Sequence, residues 1–561
     1  MTQVQRRYAM TAIALMSGAI AFVYRLLSLR GLPNDHYMHL AWSHQLLFGD
    51  VPGRDFVDPG MPLTAGLSAV VQWLWPGPFS EAVLCIAILA IVSAIVSLLT
   101  GRLTGSVAAA CMAGLISTAV GVRLYSYPKV LVPAIALLVL HRYSVEPGRR
   151  WLIAGGVWVA LAGLLRHDLA VYTFPALAVG LAAVHWPDPR LMMRVVAAFV
   201  LVACLALLPY TVFVQWSEGI VEHLRVGIEF SKTDASQVTF ALPTFPVLDP
   251  GVFTAWGRED SAAVLFYLAH LVIPLSAVLL WFNPGVPAGA RPTILAALVM
   301  LATYDLAILR SDPVARVPDA ISLLAPVGAW ASVEMLRLAR QARPVVAAGL
   351  VVLMLGLVTA TTGSAWQLGN VTDEFEDTRI ADGWDKVRES FGEKLDEGRD
   401  WPWLLFWTSG PLPDAVRYLE ACTQPTDRLL VTWFAPEYHV FARRPFAAGH
   451  AFLQPPYSYA TDRDQDLMLK RLEQQRVPLV LFNNTERDAF VGAYPRLDAY
   501  LREHYVPAGT FGIYTGDEIT IAVDKDLTAR RSWGPEGWPC GFGPGRAASM
   551  KTLRNTGFSG G

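Results

Sequence analysis

Charged side chains are scarce in this sequence. Lys, Arg, Asp and Glu make up 16% of the 561 residues, whereas hydrophobic residues make up 53%. Soluble globular proteins carry about 25% charged residues, and the mean hydropathy of this chain is +0.38. The composition therefore excludes an ordinary soluble protein and predicts a chain that crosses a membrane several times.

Features that would indicate other classes of function are also missing. Five cysteines over this length form neither a disulfide framework nor a metal-ligand pattern. The net charge of −2 comes with no basic block for nucleic-acid binding, and no glycine-rich phosphate fingerprint occurs. Cys85, Cys111 and Cys204 lie in apolar stretches and are interpreted as packing residues, whereas Cys422 and Cys540 lie outside them and could pair.

Apolar stretches of near-spanning length are abundant. A spanning helix needs about 20 mainly apolar residues, and eleven segments approach this requirement. They are Tyr8–Leu29, Ala82–Leu99, Val107–Val122, Val130–His141, Trp151–Leu165, Leu169–His185, Val195–Trp216, Ala262–Phe282, Thr293–Leu309, Val317–Leu336 and Val345–Gly363. The first resembles a signal peptide, but no small-residue cleavage site follows it, so we expect a retained signal anchor. Leu63–Trp75 is shorter and predicts an interfacial or re-entrant helix.

The orientation follows from Lys and Arg in the short connections, which concentrate on the cytoplasmic side. If Arg6 and Arg7 are inside and eleven spans are counted, the arginines of every even-numbered connection fall on the cytoplasmic side. These are Arg102, Arg142, Arg149, Arg150, Arg190, Arg194, Arg291, Arg337, Arg340 and Arg343. The pattern predicts a cytoplasmic N-terminus and an extracytoplasmic C-terminal region.

The first external region, Gly31–Leu63, concentrates the titratable side chains. It contains the acidic residues Asp35, Asp50, Asp55 and Asp58, the histidines His36, His39 and His44, and Arg54. Ionisable groups at the mouth of a membrane-embedded bundle are costly and are usually functional. We interpret this region as the active-site loop of an integral membrane transferase.

Three external helix ends also carry polar side chains. They contribute Arg123, Tyr125, Tyr127 and Lys129, then Arg166, His167 and Asp168, then Arg310, Asp312 and Arg316. Snorkelling at the interface is an alternative explanation, but it does not account for Asp close to Arg at two of the ends. We therefore expect these sites to converge with the first external region on one membrane face. The longer loop Ser217–Ser261 is expected to cover the site or to be a plain connector.

The region after about Ser364 has the composition of a soluble domain. Helices are predicted over Asp414–Ala421, Gln465–Gln475 and Tyr494–His504, and strands over Arg428–Phe434, Val477–Phe482 and, as an edge strand, Ile519–Val523. This alternation predicts a small α/β domain with a largely parallel sheet. A disordered tail is expected from about Lys525. The predicted domains are 1–363 in the membrane, 364–524 outside it, and the tail 525–561.

This set of residue types suits chemistry on a lipid-linked phosphate. Arg and Lys neutralise a phosphate, and Arg can do so with two parallel hydrogen bonds. A carboxylate can act as general base toward an acceptor hydroxyl. A lipid phosphate would lie at the headgroup level beside the helix ends, with its apolar tail between the spans. The pattern favours sugar transfer from a lipid-phosphate donor.

A family resemblance supports this interpretation. After the first span come D-x-x-x-x-x-A, beginning at Asp35, and F-x-D-P-G-x-P-L, beginning at Phe56; a short apolar helix, a long bundle and an external α/β domain follow. The order resembles the GT-C superfamily of polyprenyl-phosphate-sugar glycosyltransferases. It is most similar to the bacterial group related to protein O-mannosyltransferases, the aminoarabinose transferase of lipid A and the lipopolysaccharide-core galacturonosyl transferases. The resemblance implies a polytopic α-helical fold in the bacterial inner membrane, with about eleven spans and an extracytoplasmic α/β domain.

The resemblance also implies roles for residues. Asp35 corresponds to the catalytic Asp of the family, and His36 and Asp58 complete the predicted catalytic set. The stretch after the third span, RLYSYPK, contains no acidic residue, so His36, Asp55, Asp58 or Asp168 could supply a second catalytic group. Some relatives use a divalent metal ion, which Asp35 with His36 or Asp58 could bind. The predicted substrate-binding residues are Arg54, Asp55, Tyr127, Lys129, Arg166, His167, Asp168, Arg310 and Asp312.

The sequence thus predicts an integral membrane glycosyltransferase, a hexosyl- or pentosyltransferase. It would move a sugar from a polyprenyl-phosphate donor to an extracytoplasmic lipid, glycan or protein acceptor of the cell envelope. A transporter or flippase for lipid-linked substrates is the alternative. Transporters usually place polar groups near the bilayer midplane and often have repeated halves. In this sequence the polar groups cluster at one membrane face, and no internal repeat is found. A non-catalytic assembly protein on the same scaffold is a third alternative. The C-terminal domain is expected to recognise the acceptor or cover the site.

Overall fold

The computed structural model describes residues 3–32, 34–58, 60–236, 242–244, 257–283, 285–287, 289–308, 313–399, 412–453, 460–512 and 518–543. The chain folds into two compact units. The first consists of Met1–Arg30, Ala82–Val212 and Val238–Asp400, and the second of Gly31–Glu81, Phe213–Gln237 and Trp401–Gly561. The predicted boundary at Ser364 reflects a change in composition, whereas these units reflect packing.

The first unit is helical. Its helices are α1 (Gln3–Leu27), α4 (Pro78–Thr104), α5 (Val107–Ala119), α6 (Tyr127–Val145), α7 (Arg149–Leu165), α8 (His167–Val184), α9 (Pro189–Ser217), α11 (Arg258–Phe282), α12 (Ala290–Ile308), α13 (Pro313–Arg316), α14 (Ile321–Ala339), α15 (Pro344–Leu368), α16 (Val371–Asp377) and α17 (Trp384–Arg399). Short 3₁₀ turns occupy Leu124–Ser126, Val317–Ala320 and Ile380–Asp382. Helices α4 and α9 contribute residues to both units.

Each of the eleven predicted spans coincides with one of these helices. By length and composition, eight described stretches could cross a membrane: Tyr8–Leu27, Pro78–Thr104, Leu124–Val145, His167–Val184, Pro189–Ser217, Arg258–Phe282, Pro313–Ala339 and Pro344–Leu368. Helix α5 and the stretch Ala290–Tyr304 of α12 are apolar but shorter, and α7 has 17 residues. The fold is that of a polytopic helical membrane protein, and the number eleven stays a prediction.

The helices of the first unit pack through small residues. Helix α8 packs against α6, α7 and α12, and α15 packs against α11 and α14. Gly121, with a φ of +70°, lies against Gly369, and a Cβ added to Gly369 would be 1.6 Å from the carbonyl oxygen of Ala119. No side chain fits in that space, so both glycines are needed for the approach of α15 to the end of α5.

The first external region is more ordered than the predicted loop. It forms α2 (Asn34–Leu47) and α3 (Pro62–Leu74), which pack together in the second unit. Helix α3 matches the predicted short apolar helix Leu63–Trp75, whereas its interfacial or re-entrant location stays a prediction. Helix α2 was not expected, because its His and Asp residues obscured the apolar face formed by Tyr37, Leu40 and Ala41, all buried. Likewise, the predicted loop Ser217–Ser261 contains α10 (Ile220–Ser236).

The C-terminal part of the second unit is an α/β fold. Its helices are α18 (Leu412–Cys422), α19 (Glu437–Ala442), α20 (Asp462–Gln474), α21 (Arg487–Ala493) and α22 (Pro495–His504). Its strands are β1 (Leu429–Val431), β2 (Leu479–Asn483), β3 (Tyr505–Gly512), β4 (Glu518–Asp524), β5 (Thr528–Trp533) and β6 (Trp538–Gly543). Strands β1 to β4 form one sheet in the order β1-β2-β4-β3, and β5 pairs with β6.

Two predictions about this sheet are wrong. It is not largely parallel, because only β1 and β2 run parallel, whereas β4 is antiparallel to both β2 and β3. Strand β4 is also not an edge strand, since it lies between β2 and β3. The edge position belongs to β3, whose Pro507 and Gly509 flank a register shift. Proline is tolerated at a sheet edge, but these residues hid the strand from sequence reasoning.

The predicted disordered tail is wrong for its first part. Strands β5 and β6 form an antiparallel hairpin within it, and a disulfide joins Cys540 of β6 to Cys422 of α18. Trp538 packs against Tyr418 and Phe511, with ring centroids 5.5 and 3.9 Å away. The Gly- and Arg-rich composition concealed these contacts. Residues 544–561 lie outside the described residues.

Candidate functional site

A buried ion pair lies at one set of helix ends in the first unit. Lys129, in the first turn of α6, places its Nζ 2.6 Å from Oδ2 of Asp319, and the two side chains are 9% and 7% exposed. Asp319 belongs to the 3₁₀ turn that precedes α14. Removing a charged pair from water carries a large desolvation penalty, so this arrangement must be held by its surroundings.

Two arginines and a second carboxylate lie near the Lys129–Asp319 ion pair. Arg166, between α7 and α8, donates from Nε to Oδ1 of Asp168 over 2.8 Å. Arg166 and Arg316 both interact electrostatically with Lys129, and Asp319 interacts with Arg166. We call Lys129, Arg166, Asp168, Arg316 and Asp319 the helix-end cluster. It contains one more cation than carboxylates.

Tyrosines surround the helix-end cluster. The buried Tyr304 of α12 donates its hydroxyl hydrogen to the carbonyl oxygen of Lys129 over 2.9 Å, and its ring lies 5.5 Å from that of Tyr172. Tyr127, two residues before Lys129, is fully buried. His167 lies on the first residue of α8 with Nε2 3.2 Å from the Tyr210 hydroxyl.

The cluster lies where helices begin. Lys129 is in the first turn of α6, Asp168 in that of α8, and Asp319 immediately before α14. The first backbone N–H groups of a helix lack intrahelical acceptors, and the helix dipole places partial positive charge there. Excess cationic charge next to helix N-termini can bind an anion such as a phosphate.

In the second unit, Asp35 and His36 lie in the first turn of α2. Asp35 is half-buried, whereas His36 is fully buried with its Nε2 3.4 Å from Oε1 of Glu81. Ser68 of α3 donates its hydroxyl hydrogen to the same carboxylate oxygen over 2.7 Å. Imidazole and carboxylate are ligand types for divalent transition metals, so His36 and Glu81 could contribute one nitrogen and one oxygen to an ion.

His44 does not titrate near neutral pH. Burial lowers its pKa to about 4, and the contact of its Nε2 with the Gln72 side-chain oxygen at 3.5 Å offsets only part of this shift. The imidazole is therefore neutral under ordinary conditions. Gln72 also bonds to Gly77 and Ser80. We interpret His44 as part of the packing between α2 and α3.

Arg54 and Asp55 pair with each other. Arg54 donates to both carboxylate oxygens of Asp55 over 3.0 and 2.7 Å, and the Val51 N–H donates to Oδ2 over 2.8 Å. Burial raises the pKa of Asp55, but the bonds from Arg54 and Val51 outweigh that effect and lower it overall. Asp55 is thus an ionised group whose acceptor positions are occupied, which suits a structural role in its turn.

Asp58, unlike Asp55, lies close to a histidine of α10. It accepts a hydrogen bond from the N–H of Gly60 over 2.8 Å. His223 of α10 contacts Glu218 at 2.5 Å, and this hydrogen bond raises the pKa of His223, with a further contribution from the Asp58 charge. Asp58 and His223 are therefore neighbours within the second unit. Sequence reasoning did not connect the two residues.

The structure brings some predicted residues together and leaves others apart. Lys129, Arg166 and Asp168 meet in the helix-end cluster, and Arg54 contacts Asp55. Tyr127 and His167 lie on the same helix ends. Arg310 and Asp312 lie outside the described residues. Convergence of the first external region with the helix ends stays a prediction.

Sequence reasoning missed Asp319 and Glu81. Both are acidic residues at the start of an apolar helix, and both are nearly inaccessible to solvent. A carboxylate directly before or within a long apolar run is unusual enough to be a signal. Their partners, Lys129 and His36, lie 190 and 45 residues away, so only the folded chain identifies the pairs.

No family model matches the sequence, and neither does any curated protein. Among solved structures, the chain is similar to ArnT from Cupriavidus metallidurans bound to undecaprenyl phosphate. The TM-score is 0.50 at 12% identity, over 91% of this chain and 97% of that chain. The apo form of the same protein gives a TM-score of 0.47 at the same identity and over the same shares.

The chain therefore shares the fold of this ArnT structure. The fold prediction made from the sequence is therefore confirmed. The chain has the fold of a multi-pass membrane protein with a small C-terminal sheet region. At this identity the likeness concerns the fold alone.

Proposed function

We propose that this chain is a membrane glycosyltransferase. It would transfer a hexosyl or pentosyl group from a polyprenyl-phosphate donor to an extracytoplasmic acceptor in cell-envelope glycan, glycolipid or glycoprotein synthesis. The observation that carries this proposal is the helix-end cluster, whose surplus cation lies beside helix N-termini within an apolar bundle. In the similar ArnT structure, undecaprenyl phosphate is the bound molecule.

The helix-end cluster is the proposed phosphate site. Arg166 offers a planar fork of N–H donors to phosphate oxygens, and its side chain is 34% exposed. Lys129 adds positive charge, while Asp168 and Asp319 hold the two cations in place. Tyr127, His167, Arg310 and Asp312 complete the proposed substrate-binding set. The polyprenyl tail would lie between apolar helices.

Asp35 is the proposed general base. Its carboxylate would take the proton of an acceptor hydroxyl as that oxygen forms a bond to the anomeric carbon of the sugar. The bond from that carbon to the phosphate oxygen breaks at the same time, and the polyprenyl phosphate leaves. His36 and Asp58 remain in the proposed catalytic set, with Arg54 and Asp55 supporting the segment between them.

A divalent ion would be held by Asp35 and His36, with Glu81 as a further ligand. Such an ion supplies Lewis-acid polarisation of a phosphate oxygen when bound. The buried imidazole of His36 and carboxylate of Glu81 lie 3.4 Å apart. Nitrogen and oxygen ligands of these two types bind divalent metal ions.

The proposed location is the bacterial inner membrane, with the N-terminus cytoplasmic and the C-terminal domain outside. The membrane part would be 1–363, with the sheet domain following. The Cys422–Cys540 disulfide supports this orientation, because disulfides persist in the periplasm and are rare in the cytosol. The arginine distribution points the same way.

Binding of the lipid phosphate by the purified protein tests the proposal. Undecaprenyl phosphate should bind and raise the apparent unfolding temperature, whereas undecaprenol, which lacks the phosphate, should not. Arg166→Gln should weaken phosphate-lipid binding about 10- to 100-fold, as expected for lost charged hydrogen bonds. Lys129 is a poorer choice, because breaking a buried pair destabilises a protein by about 3–5 kcal/mol.

Arg150→Gln is the matched control, since Arg150 is exposed at the start of α7 and pairs with its neighbour Glu146. Equal binding of undecaprenol and undecaprenyl phosphate would refute the phosphate site. Movement of an intact lipid-linked sugar across liposomes, without sugar transfer, would favour the flippase alternative. Mass spectrometry of envelope glycans and glycolipids with and without the gene would identify the sugar and acceptor.

A further inference from the structure

The edge of the C-terminal sheet continues beyond β1. Strand β1 is an edge strand, and its Leu429 exchanges hydrogen bonds with the stretch that follows α19. The Leu429 N–H donates to the Pro445 oxygen over 3.0 Å, and the Ala447 N–H donates to the Leu429 oxygen over 2.8 Å. Phe446 is thereby fixed against the sheet, and its peptide group is available to a further element.

The first external region occupies that position. Gln45, near the end of α2 and 1% exposed, accepts from the Phe446 N–H over 3.0 Å and donates to the Phe446 oxygen over 3.3 Å. The Phe56 ring lies edge-on to Phe446 at 5.7 Å. The Val57 N–H donates to the Gly449 oxygen over 3.1 Å. The segment Gln45–Asp58 therefore lies along the sheet domain.

A two-pronged ion pair reinforces this contact. Arg428, next to β1, donates from Nη1 and Nη2 to the two carboxylate oxygens of Asp50 over 2.7 and 2.8 Å. Its Nη1 also donates to the Phe446 oxygen over 3.0 Å. The side chains are 18% and 12% exposed, and charged bonds of this geometry are the strong ones.

Arg471 of α20 supplies a second anchor. It is 6% exposed and donates from Nη2 to the Arg54 oxygen over 3.1 Å. A Cβ on Gly449 would lie 2.1 Å from Nη1 of Arg471, and Gly449 has a φ of +83°. Glycine is therefore required where the guanidinium passes. Asp50, Asp55 and Glu218 compensate the buried charge electrostatically.

We propose that Arg428 is a positioning residue for the transfer reaction. Through Asp50 it holds the segment Gln45–Asp58, which carries Asp55 and Asp58. This segment continues from α2, whose first turn contains Asp35. This inference rests on the proposed function and extends the role expected of the C-terminal domain. Residues 49–58 have little regular structure, and ordering them costs conformational entropy, so bonds to the sheet domain are needed to hold them.

Arg428→Gln should therefore lower kcat about 10- to 100-fold, the scale expected for a small misplacement of reacting groups. Undecaprenyl phosphate binding and the amount of folded protein should be unchanged. Arg428→Lys keeps the charge but loses the two-pronged hydrogen bonding. Its kcat should lie between those of Arg428→Gln and the unaltered protein. The exchange Asp50→Arg with Arg428→Asp should restore part of the activity lost in each single variant.

Arg476→Gln is the matched control. Arg476 forms an ion pair with Asp427 at 2.6 Å and donates to the Phe542 oxygen, so it stabilises the same domain without contacting Gln45–Asp58 in the described structure. It should retain kcat even if the domain loses stability. Hydrogen–deuterium exchange should accelerate at Val51, Gly53 and Val57 in Arg428→Gln and not in Arg476→Gln.

The outcomes separate the two proposals. If the unaltered protein binds undecaprenyl phosphate but transfers no sugar, the proposed function fails. The hydrogen–deuterium exchange measurement still tests whether Arg428 holds the segment Gln45–Asp58. If the unaltered protein is active and Arg428→Gln matches Arg476→Gln in kcat and in exchange, Arg428 has no positioning role. If Arg428→Gln lowered the affinity for the donor and left kcat unchanged, the positioning role of Arg428 would also be overturned.

Discussion

Asp35 lies in the first turn of α2, where the helix dipole favours a carboxylate. Asp35→Asn preserves the shape of the side chain and removes the base. Turnover should fall at least ~10²-fold, as expected for loss of a general base, while undecaprenyl phosphate binding persists. The measurement is sugar transfer or release by the purified variant, after donor binding has been confirmed.

The control for this prediction is Asp58→Asn, because Asp58 is the next candidate and lies beside His223. Near-normal transfer by Asp35→Asn together with a dead Asp58→Asn would move the base to Asp58. Equal activity of both variants and the unaltered protein would remove the first external region from the chemistry.

Glu437, in the first turn of α19, is a buried acid with a measurable consequence for stability. Burial raises its pKa to about 8 from 4.5, and its Oε2 has no hydrogen-bond partner among the described residues. Between pH 4.5 and 8 the folded chain keeps a proton that the unfolded chain loses, so stability falls as pH rises. Glu437→Gln cannot titrate and should show a flatter decline.

The measurement is the apparent unfolding temperature at a fixed scan rate between pH 5 and 8. Glu473→Gln, at an exposed position of α20, is the control and should keep the slope of the unaltered protein. A Glu437→Gln variant with that same slope would show that Glu437 ionises normally in the folded chain.

At the scale of elements, the β5–β6 hairpin depends on its attachments. An isolated two-stranded hairpin is marginally stable at best. The disulfide closes a separation of 118 residues, and disulfides commonly contribute about 2–4 kcal/mol. The double variant Cys422→Ser, Cys540→Ser should lower the apparent unfolding temperature and speed amide exchange over Thr528–Gly543.

Cys204→Ser is the matched control, because Cys204 is a free, exposed cysteine of α9. It should change neither quantity. An unchanged exchange rate in the double variant would mean that Trp538 and its aromatic neighbours hold the hairpin without the disulfide.

Most elements could be predicted because their pattern is local. The apolar stretches of the membrane helices and strands β1, β2 and β4 followed from runs of hydrophobic residues. Helices α2 and α10 did not, because charged and imidazole side chains interrupt their apolar faces. In α10, Glu222 pairs both with the local Arg225 and with the distant Arg463. Strand β3 contains Pro and Gly, which become acceptable only because the fold places it at the edge.

At the scale of the whole molecule, sidedness is the testable consequence of the arginine distribution. Reporter fusions at Gly148, between α6 and α7, and at Asp526, between β4 and β5, should show opposite sides of the membrane. Alkaline phosphatase should be active at Asp526 and a fluorescent cytoplasmic reporter at Gly148. Activity of one reporter at both positions would overturn the eleven-span topology, and a fusion at Arg6 would then establish which half is inverted.

The sequence by itself determined the membrane class, most helix positions and the chemical character of the first external region. These depend on hydrophobicity and residue type, which each segment carries within itself. Only the tertiary structure decided that Lys129 pairs with Asp319, 190 residues away, and Asp50 with Arg428, 378 residues away. Many carboxylates and cations are available to each of these residues along the chain. Packing of the apolar helices and the sheet selects the pair, because a partly buried charge is stable only beside the partner that packing brings to it.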